Sequence, residues 1–240
     1  MNIVEKIKNK QASASNPPVT IAFIGDSITQ GCFEVYYKTP TQLDTVYEYG
    51  NAFPTRLREM LALLYPAVQI NIINSGISGD AVSRGLTRLD RDVLSYRPDL
   101  VVVGYGANDC NLGGDGGVSA YAEGLREMFR RIKNTGAEVI YLTEGPFCTK
   151  TSPTITDERL KPLAEKFSDL ENRGVLAKYF SLGKDVADEE GVECCDVYSA
   201  WKMLEKAGVD TTELLANKLN HPSRDMHCYI AIKLLETMLK

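Results

Sequence analysis

The sequence predicts an α/β protein built as a three-layer sandwich, with a parallel sheet between two layers of helices. Three observations carry this expectation. Short apolar runs rich in β-branched residues recur along the chain, and longer segments with helical spacing separate them. One run, "LVVVG" from Leu100, is apolar on both alternating faces, as a strand in the middle of a parallel sheet must be. Strands that alternate with helices of about ten or more residues pair in parallel, because a tight hairpin cannot join parallel neighbours.

The elements follow in order. Strands are expected at Val19 to Gly25, Val68 to Asn74, Leu100 to Tyr105, Glu138 to Thr143 and Val192 to Val197. Helices are expected at Ala52 to Tyr65, Gly85 to Ser95, Val118 to Asn134, Asp157 to Glu190 (long enough to hold a break), Tyr198 to Ala207 and Ser223 to Leu239. Residues 1–18 read as an N-terminal tail, and 19–240 as a single domain without an internal linker or repeat. The segment "NLGGDGG" at 111–117 reads as a mobile loop. Its one carboxylate, Asp115, falls short of the six to eight oxygens of a calcium site.

Bulk composition narrows the function classes. The chain has 240 residues, 44% hydrophobic and 25% charged, which is enough for one sizeable core. A net charge of −5, with no basic cluster interleaved with aromatics, argues against nucleic acid as a partner. No apolar run is long enough to span a membrane and no secretory signal is visible, so a cytoplasmic location is expected. The six cysteines are scattered without C-x-x-C or Cys/His spacing, which reads as buried free thiols and neither a metal nor a cofactor site.

Chemistry is expected at the carboxyl ends of the strands, where open parallel sheets bind ligands. Strand one ends in "GDSITQG", the second in "NSGISGD", the third in "GYGANDC" and the fourth in "TEGPFCT", and all carry small or polar groups. Ser27 is the candidate nucleophile, provided that a base accepts its proton. The chain has only two histidines. His221, in "LNHPSRD", is stiffened by Pro222 and precedes a helix capped by Ser223, which suits a positioned base. His227 lies on a helical face with Ala231 and Leu234 and reads as a packing residue. Gly76 and Asn108 can supply oxyanion donors beside the Ser27 amide. Asp26 and Asp109 read as turn-fixing and loop-tying carboxylates.

These stretches resemble the SGNH hydrolases, also called the GDSL lipase/esterase family. "GDSITQG" is similar to the family's first block, Gly76 in "NSGISGD" to its second, "GAND" at 106–109 to its third and "NHP" at 220–222 to its last. The resemblance runs from Val19 to about Ala231, with the four blocks in family order. It implies a flavodoxin-like α/β/α fold with five parallel strands. It also implies a Ser27 nucleophile, a His221 base and an oxyanion hole of Ser27, Gly76 and Asn108, with no cofactor. The family's usual aspartate, three residues before the histidine, is here Lys218. A lysine cannot accept the imidazole N–H. The ring must then be oriented by a backbone carbonyl, by Asn217 or Asn220, or by a carboxylate such as Asp225 or Asp196. A neutral acceptor or carbonyl is favoured, giving a Ser-His dyad with a substitute orienter.

The expected substrate is a small ester with a short acyl group, O-acetyl on a carbohydrate above all. The segment "CFEVYYKTPTQLDTVYEYGN" offers Tyr36, Tyr37, Tyr47 and Tyr49 for stacking on sugar rings and few aliphatic residues for a long acyl chain. The alternatives are a lysophospholipase or lipase-type acylhydrolase and, given Lys218, a catalytically weak carbohydrate-binding relative.

Overall fold

The structure, a computed structural model, describes residues 1–240. Its sheet has five parallel strands, β1 (Val19–Gly25), β4 (Ile70–Gly76), β5 (Leu100–Gly104), β6 (Glu138–Thr143) and β7 (Glu193–Asp196), in the order β4-β1-β5-β6-β7. A separate hairpin pairs β2 (Cys32–Tyr37) with β3 (Leu43–Tyr47) antiparallel. The apolar runs sit where burial on both faces requires them: β5 is buried at every residue, and β1 at all but one.

Helices α1 (Asn2–Ala12), α3 (Phe53–Leu64) and α10 (Arg224–Leu239) pack on one another along one side of the sheet. Helices α4 (Val82–Asp92), α6 (Val118–Lys133), α7 (Lys161–Asn172) and α8 (Val175–Glu189) form the other layer, while α9 (Val197–Lys206) follows β7 and packs against β6. Two short helices, α2 (Ser27–Gln30) and α5 (Ala107–Gly113), start directly beyond β1 and β5. No helix is long and apolar enough to cross a membrane.

The sheet register positions the site. Gly25 at the end of β1 pairs with Gly76 on β4 and with Gly104 on β5, so three strands end level and deliver their following turns to one edge.

Several expectations need correction. Residues 1–18 are not merely a tail: 2–12 form α1, whose Ile3 and Ile7, one helical turn apart, are both buried. The Glu138 carboxylate accepts the Asn2 and Ile3 N–H groups at 2.9 and 2.6 Å, satisfying donors that a helix start leaves open. The 111–117 segment completes α5 and continues as a 3-10 turn, held by Lys178 on Asp115 (2.9 Å) and by the Tyr179 hydroxyl on the Gly114 carbonyl (2.7 Å). The long 157–190 stretch is two helices, parted at Arg173 and Gly174, where Gly174 takes φ +70°. The second strand runs two residues later than its apolar pattern predicts, because polar Ser75 and Gly76 continue the pairing with β1. All six cysteines are free thiols.

Candidate active site

Ser27 is presented by a sharp strand-to-helix turn. Asp26 leaves β1 and caps α2, its Oδ1 accepting the Ile28 N–H at 2.8 Å. Ser27 is therefore the first helical residue, where a backbone N–H has no intrahelical acceptor, and none is supplied by the rest of the chain.

His221 is delivered by a tightly folded loop. The Asn217 Oδ1 accepts three consecutive backbone N–H groups, from Leu219, Asn220 and His221, at 3.0, 2.9 and 2.9 Å. The Asn217 amide donates to Asn220 Oδ1 at 3.0 Å. Lys218 sits in the left-handed region at φ 57°, and its ammonium group turns away to the Glu213 carbonyl.

The two side chains meet. His221 Nε2 lies 3.0 Å from Ser27 Oγ, and His221 Nδ1 lies 2.8 Å from the carbonyl oxygen of Phe33, with both residues nearly inaccessible to solvent. A carbonyl can only accept, so Nδ1 carries the proton and Nε2 presents a lone pair to the serine hydroxyl. That is the tautomer a general base needs. Burial pushes the imidazole down to about 4, so it is neutral at physiological pH.

The ring is thus held by Phe33, and by none of the four named side-chain candidates. Asn217 and Asn220 shape the loop backbone beneath the ring. Asp196 caps α9 through the Ser199 N–H and pairs with Lys184. Asp225 lies in the first turn of α10 and makes no bond to the ring. A main-chain acceptor has no side-chain signature, which hid Phe33 from sequence reading. The clue in the sequence is indirect: Arg224, one helical turn after His221. Its guanidinium spans Glu34 Oε1 and Oε2 (2.5 and 2.9 Å) and Glu48 Oε2 (3.0 Å), and lies 4.4 Å from the centre of the Phe33 ring. This clamp fixes the start of β2 and with it the Phe33 carbonyl.

The expectation for Gly76 also needs correction. Gly76 is spent: its N–H donates to Asn74 Oδ1 at 3.0 Å, and an added Cβ would lie 2.3 Å from the Gln30 backbone nitrogen. The residue lining the cavity is Gly79, three positions on, with φ +74° and an N–H that no protein group accepts. The second glycine of "NSGISGD", in front of an aspartate, is the sequence signal for this turn. Arg88 holds the turn: its guanidinium donates to Asp80 Oδ2 (2.6 Å), the Ser75 carbonyl (2.6 Å) and the Gly25 carbonyl (3.1 Å), and the Tyr105 hydroxyl also donates to Asp80.

Asn108 lines the same cavity, and its Nδ2 donates to Asp26 Oδ2 at 2.7 Å, leaving the second amide hydrogen for the pocket. Behind this bond lies Glu144, which accepts the Ala107 N–H at 3.0 Å through Oε2. Its Oε1 meets no protein donor, and its carboxyl stands within hydrogen-bonding reach of Asp26. Burial raises Glu144 well above the ordinary carboxylate range and Asp26 to about 6. Burial and the neighbouring Asp26 carboxyl both favour the protonated form of Glu144. Asp109, also pushed up by burial, to about 7, ties the α4 start by accepting the Val82 N–H at 3.1 Å.

Ser27, Gly79, Asn108 and His221 open onto one cavity of about 330 Å³, walled by Val35, Leu43 and Tyr47 of the hairpin and by Leu163 and Phe167 of α7. Of the four tyrosines, Tyr47 alone lines it. Tyr49 stacks on Tyr47 at 6.5 Å, Tyr37 lies under the Arg159 guanidinium at 4.1 Å, and Tyr36 faces a neighbouring groove. His227 is fully buried, accepts the Phe53 N–H at 3.1 Å and packs against Phe33, away from the cavity. No three His, Cys, Asp or Glu side chains gather in a metal-holding arrangement.

An α/β/α sandwich with a serine and a histidine in contact above the sheet edge defines a class of fold shared by many hydrolases. The model of the GDSL-like Lipase/Acylhydrolase family matches residues 23–227, and the chain belongs to that family. It is 30% identical over 131 residues to an arylesterase of Vibrio mimicus, a match covering 55% of this chain and 57% of the arylesterase. It is 33% identical over 89 residues to an acetylxylan esterase of Geobacillus stearothermophilus, covering 37% and 39%. These matches span about two fifths to three fifths of the relatives' own lengths. Among solved structures, a two-domain esterase active on acetylated mannans superposes with a TM-score of 0.69 at 18% identity, over 98% of this chain and 52% of that one. The acetylxylan esterase Axe2 of Geobacillus stearothermophilus superposes at 0.67 and 21%, over 92% and 94%. At these identities the structural likeness is one of fold.

Proposed function

We propose that the chain is a serine carboxylic ester hydrolase that removes short acyl groups, acetyl in particular, from a carbohydrate. The observation that carries the reaction type is the 3.0 Å contact between Ser27 Oγ and a His221 Nε2 whose tautomer is set by the Phe33 carbonyl. His221 takes the Ser27 proton as Oγ attacks the ester carbonyl. The negative charge that forms on the carbonyl oxygen is met by the N–H groups of Ser27 and Gly79 and by the Asn108 amide. His221 then returns the proton to the leaving sugar hydroxyl, and a water repeats the cycle on the acyl-serine.

The Phe33 carbonyl performs part of a carboxylate's task. In serine hydrolases, losing the aspartate's charge while also fixing the wrong tautomer costs about 10⁴ in kcat. Here the right tautomer is retained and only the charge is replaced by a dipole, so the loss is smaller. The carbohydrate is supported by the acetylxylan and acetylmannan esterases among the relatives and by the Tyr47 ring at the cavity wall. The test is hydrolysis of p-nitrophenyl acetate and of acetylated xylooligosaccharides. Ser27→Ala and His221→Ala, both folded by circular dichroism, should each lose about 10³-fold or more in kcat. Retention of wild-type rates by either variant defeats the reading.

A further inference from the structure

Beside the Ser27 cavity lies a second groove of about 360 Å³ that shares Val35 and Asn217 with it. One side is the edge of β2, with Glu34 and Tyr36; the other is the 154–157 segment that leads into α7. Its floor is apolar, formed by the buried side chains of Ile155 and Leu160, and its rim is polar. Tyr36, which lines this groove, is 45% exposed.

We propose that this groove is a second sugar subsite, taking the pyranose unit next to the acylated one, so that the substrate is an acetylated oligosaccharide and not a monosaccharide. The inference rests on the carbohydrate esterase reading above and adds to it a place and a chain length. A pyranose ring offers apolar C–H faces and a periphery of hydroxyls, and the groove matches both. Ile155, Leu160 and the Tyr36 ring meet the faces, while Glu34 and Thr156 on the rim bond to hydroxyls.

Glu34 and Asp157 on the rim are held by arginines: Arg224 grips Glu34, and Arg159 grips Asp157 at 2.8 Å, so this rim is ordered before a sugar arrives. Those partners also hold both carboxyls ionised, below the ordinary range. Each carboxylate is balanced by its arginine, and the Lys218 side chain lines the same rim. Val35 and Asn217 touch both spaces, so a chain crossing them puts adjacent units in the two sites.

The test compares kcat/KM for p-nitrophenyl acetate, a methyl glycoside of acetylated xylose and acetylated xylotriose. The wild type is measured with Tyr36→Ala and with Thr156→Val, a change that keeps shape on the same rim; both positions are exposed. The trisaccharide should exceed the monosaccharide by about tenfold or more, and the ratio of trisaccharide to p-nitrophenyl acetate should fall about tenfold in Tyr36→Ala and less in Thr156→Val. Equal constants for the two sugars, with ratios unmoved in both variants, overturn the subsite and leave the carbohydrate esterase standing. Turnover of p-nitrophenyl acetate with no hydrolysis of any acetylated sugar overturns the carbohydrate reading, and the subsite with it.

Discussion

His221 Nδ1 donates to the Phe33 carbonyl at 2.8 Å, at the position where related serine hydrolases use an aspartate. A neutral acceptor adds no full negative charge beside the ring, and burial dominates, bringing His221 from 6.5 down to about 4. The base works only when neutral, so kcat/KM should hold from neutral pH to about 5 and fall as pH drops through about 4. The depressed value also means that the unfolded chain takes up this proton more readily, so stability declines as pH falls from 6.5 toward 4. The pH profile is therefore recorded with circular dichroism alongside. An activity limb near 6.5 in folded protein would contradict the geometry.

Arg224 touches neither Ser27 nor the cavity, yet it holds the residue that holds the base. Arg224→Met should lower kcat about tenfold with KM little changed, because the Phe33 carbonyl loses its anchorage through Glu34, Glu48 and its own ring. Arg224→Lys, which keeps the charge but not the bidentate fork, should recover part of that loss. A Met variant that remains folded with unchanged kcat removes Arg224 from the positioning of His221.

The two glycines of "NSGISGD" should separate stability from catalysis. Gly79→Ala meets only the Arg84 guanidinium, at 3.9 Å, so it should fold with a strain cost of about 1–2 kcal/mol and lose about tenfold or more in kcat as the turn shifts its N–H. Gly76→Ala drives a methyl into the Gln30 backbone and should chiefly lower Tm. Thermal melts and steady-state kinetics on the pair check this. The reverse pattern would return the oxyanion role to Gly76.

Behind the Asn108 amide, Glu144→Gln keeps an acceptor for the Ala107 N–H and offers an N–H to Asp26, so activity should stay within about threefold of wild type. Glu144→Ala strands the Ala107 N–H and frees Asp26, and should cost about 1–3 kcal/mol of stability as well as kcat. The wild-type carboxyl, raised in the folded state, stabilises fully below its unfolded value and loses that contribution as pH rises through the folded one. The Tm of Glu144→Gln relative to wild type should therefore increase from about pH 5 to pH 8. A flat difference across that window would show that the Glu144 carboxyl is not raised in the folded protein.

Much of the fold was legible because burial leaves a simple pattern. A central strand such as Leu100–Gly104 must be apolar at every position, and the alternation with helices then settles the parallel sheet. The β2–β3 hairpin was not legible: its tyrosines, threonines and charges read as a loop, since only one face packs and the register shifts between Cys32 and Val35. Helix α1 was missed because lysines mask two buried isoleucines. In the site, His221 stood out because the chain has only two histidines, and Ser27 because its Gly-Asp-Ser turn follows directly on an apolar strand. The groups around them act through the main chain, as with the Phe33 carbonyl and the Gly79 N–H, and residue type says little about where a backbone dipole points.

Covalent labelling shows whether His221 activates Ser27. A fluorophosphonate offered to the folded protein at neutral pH should attach to Ser27 alone, located by mass spectrometry of the peptide carrying "GDSITQG", and labelling should drop about a hundredfold or more in His221→Ala. Folded protein that stays unlabelled, or that labels equally fast without His221, would contradict a serine activated by this histidine.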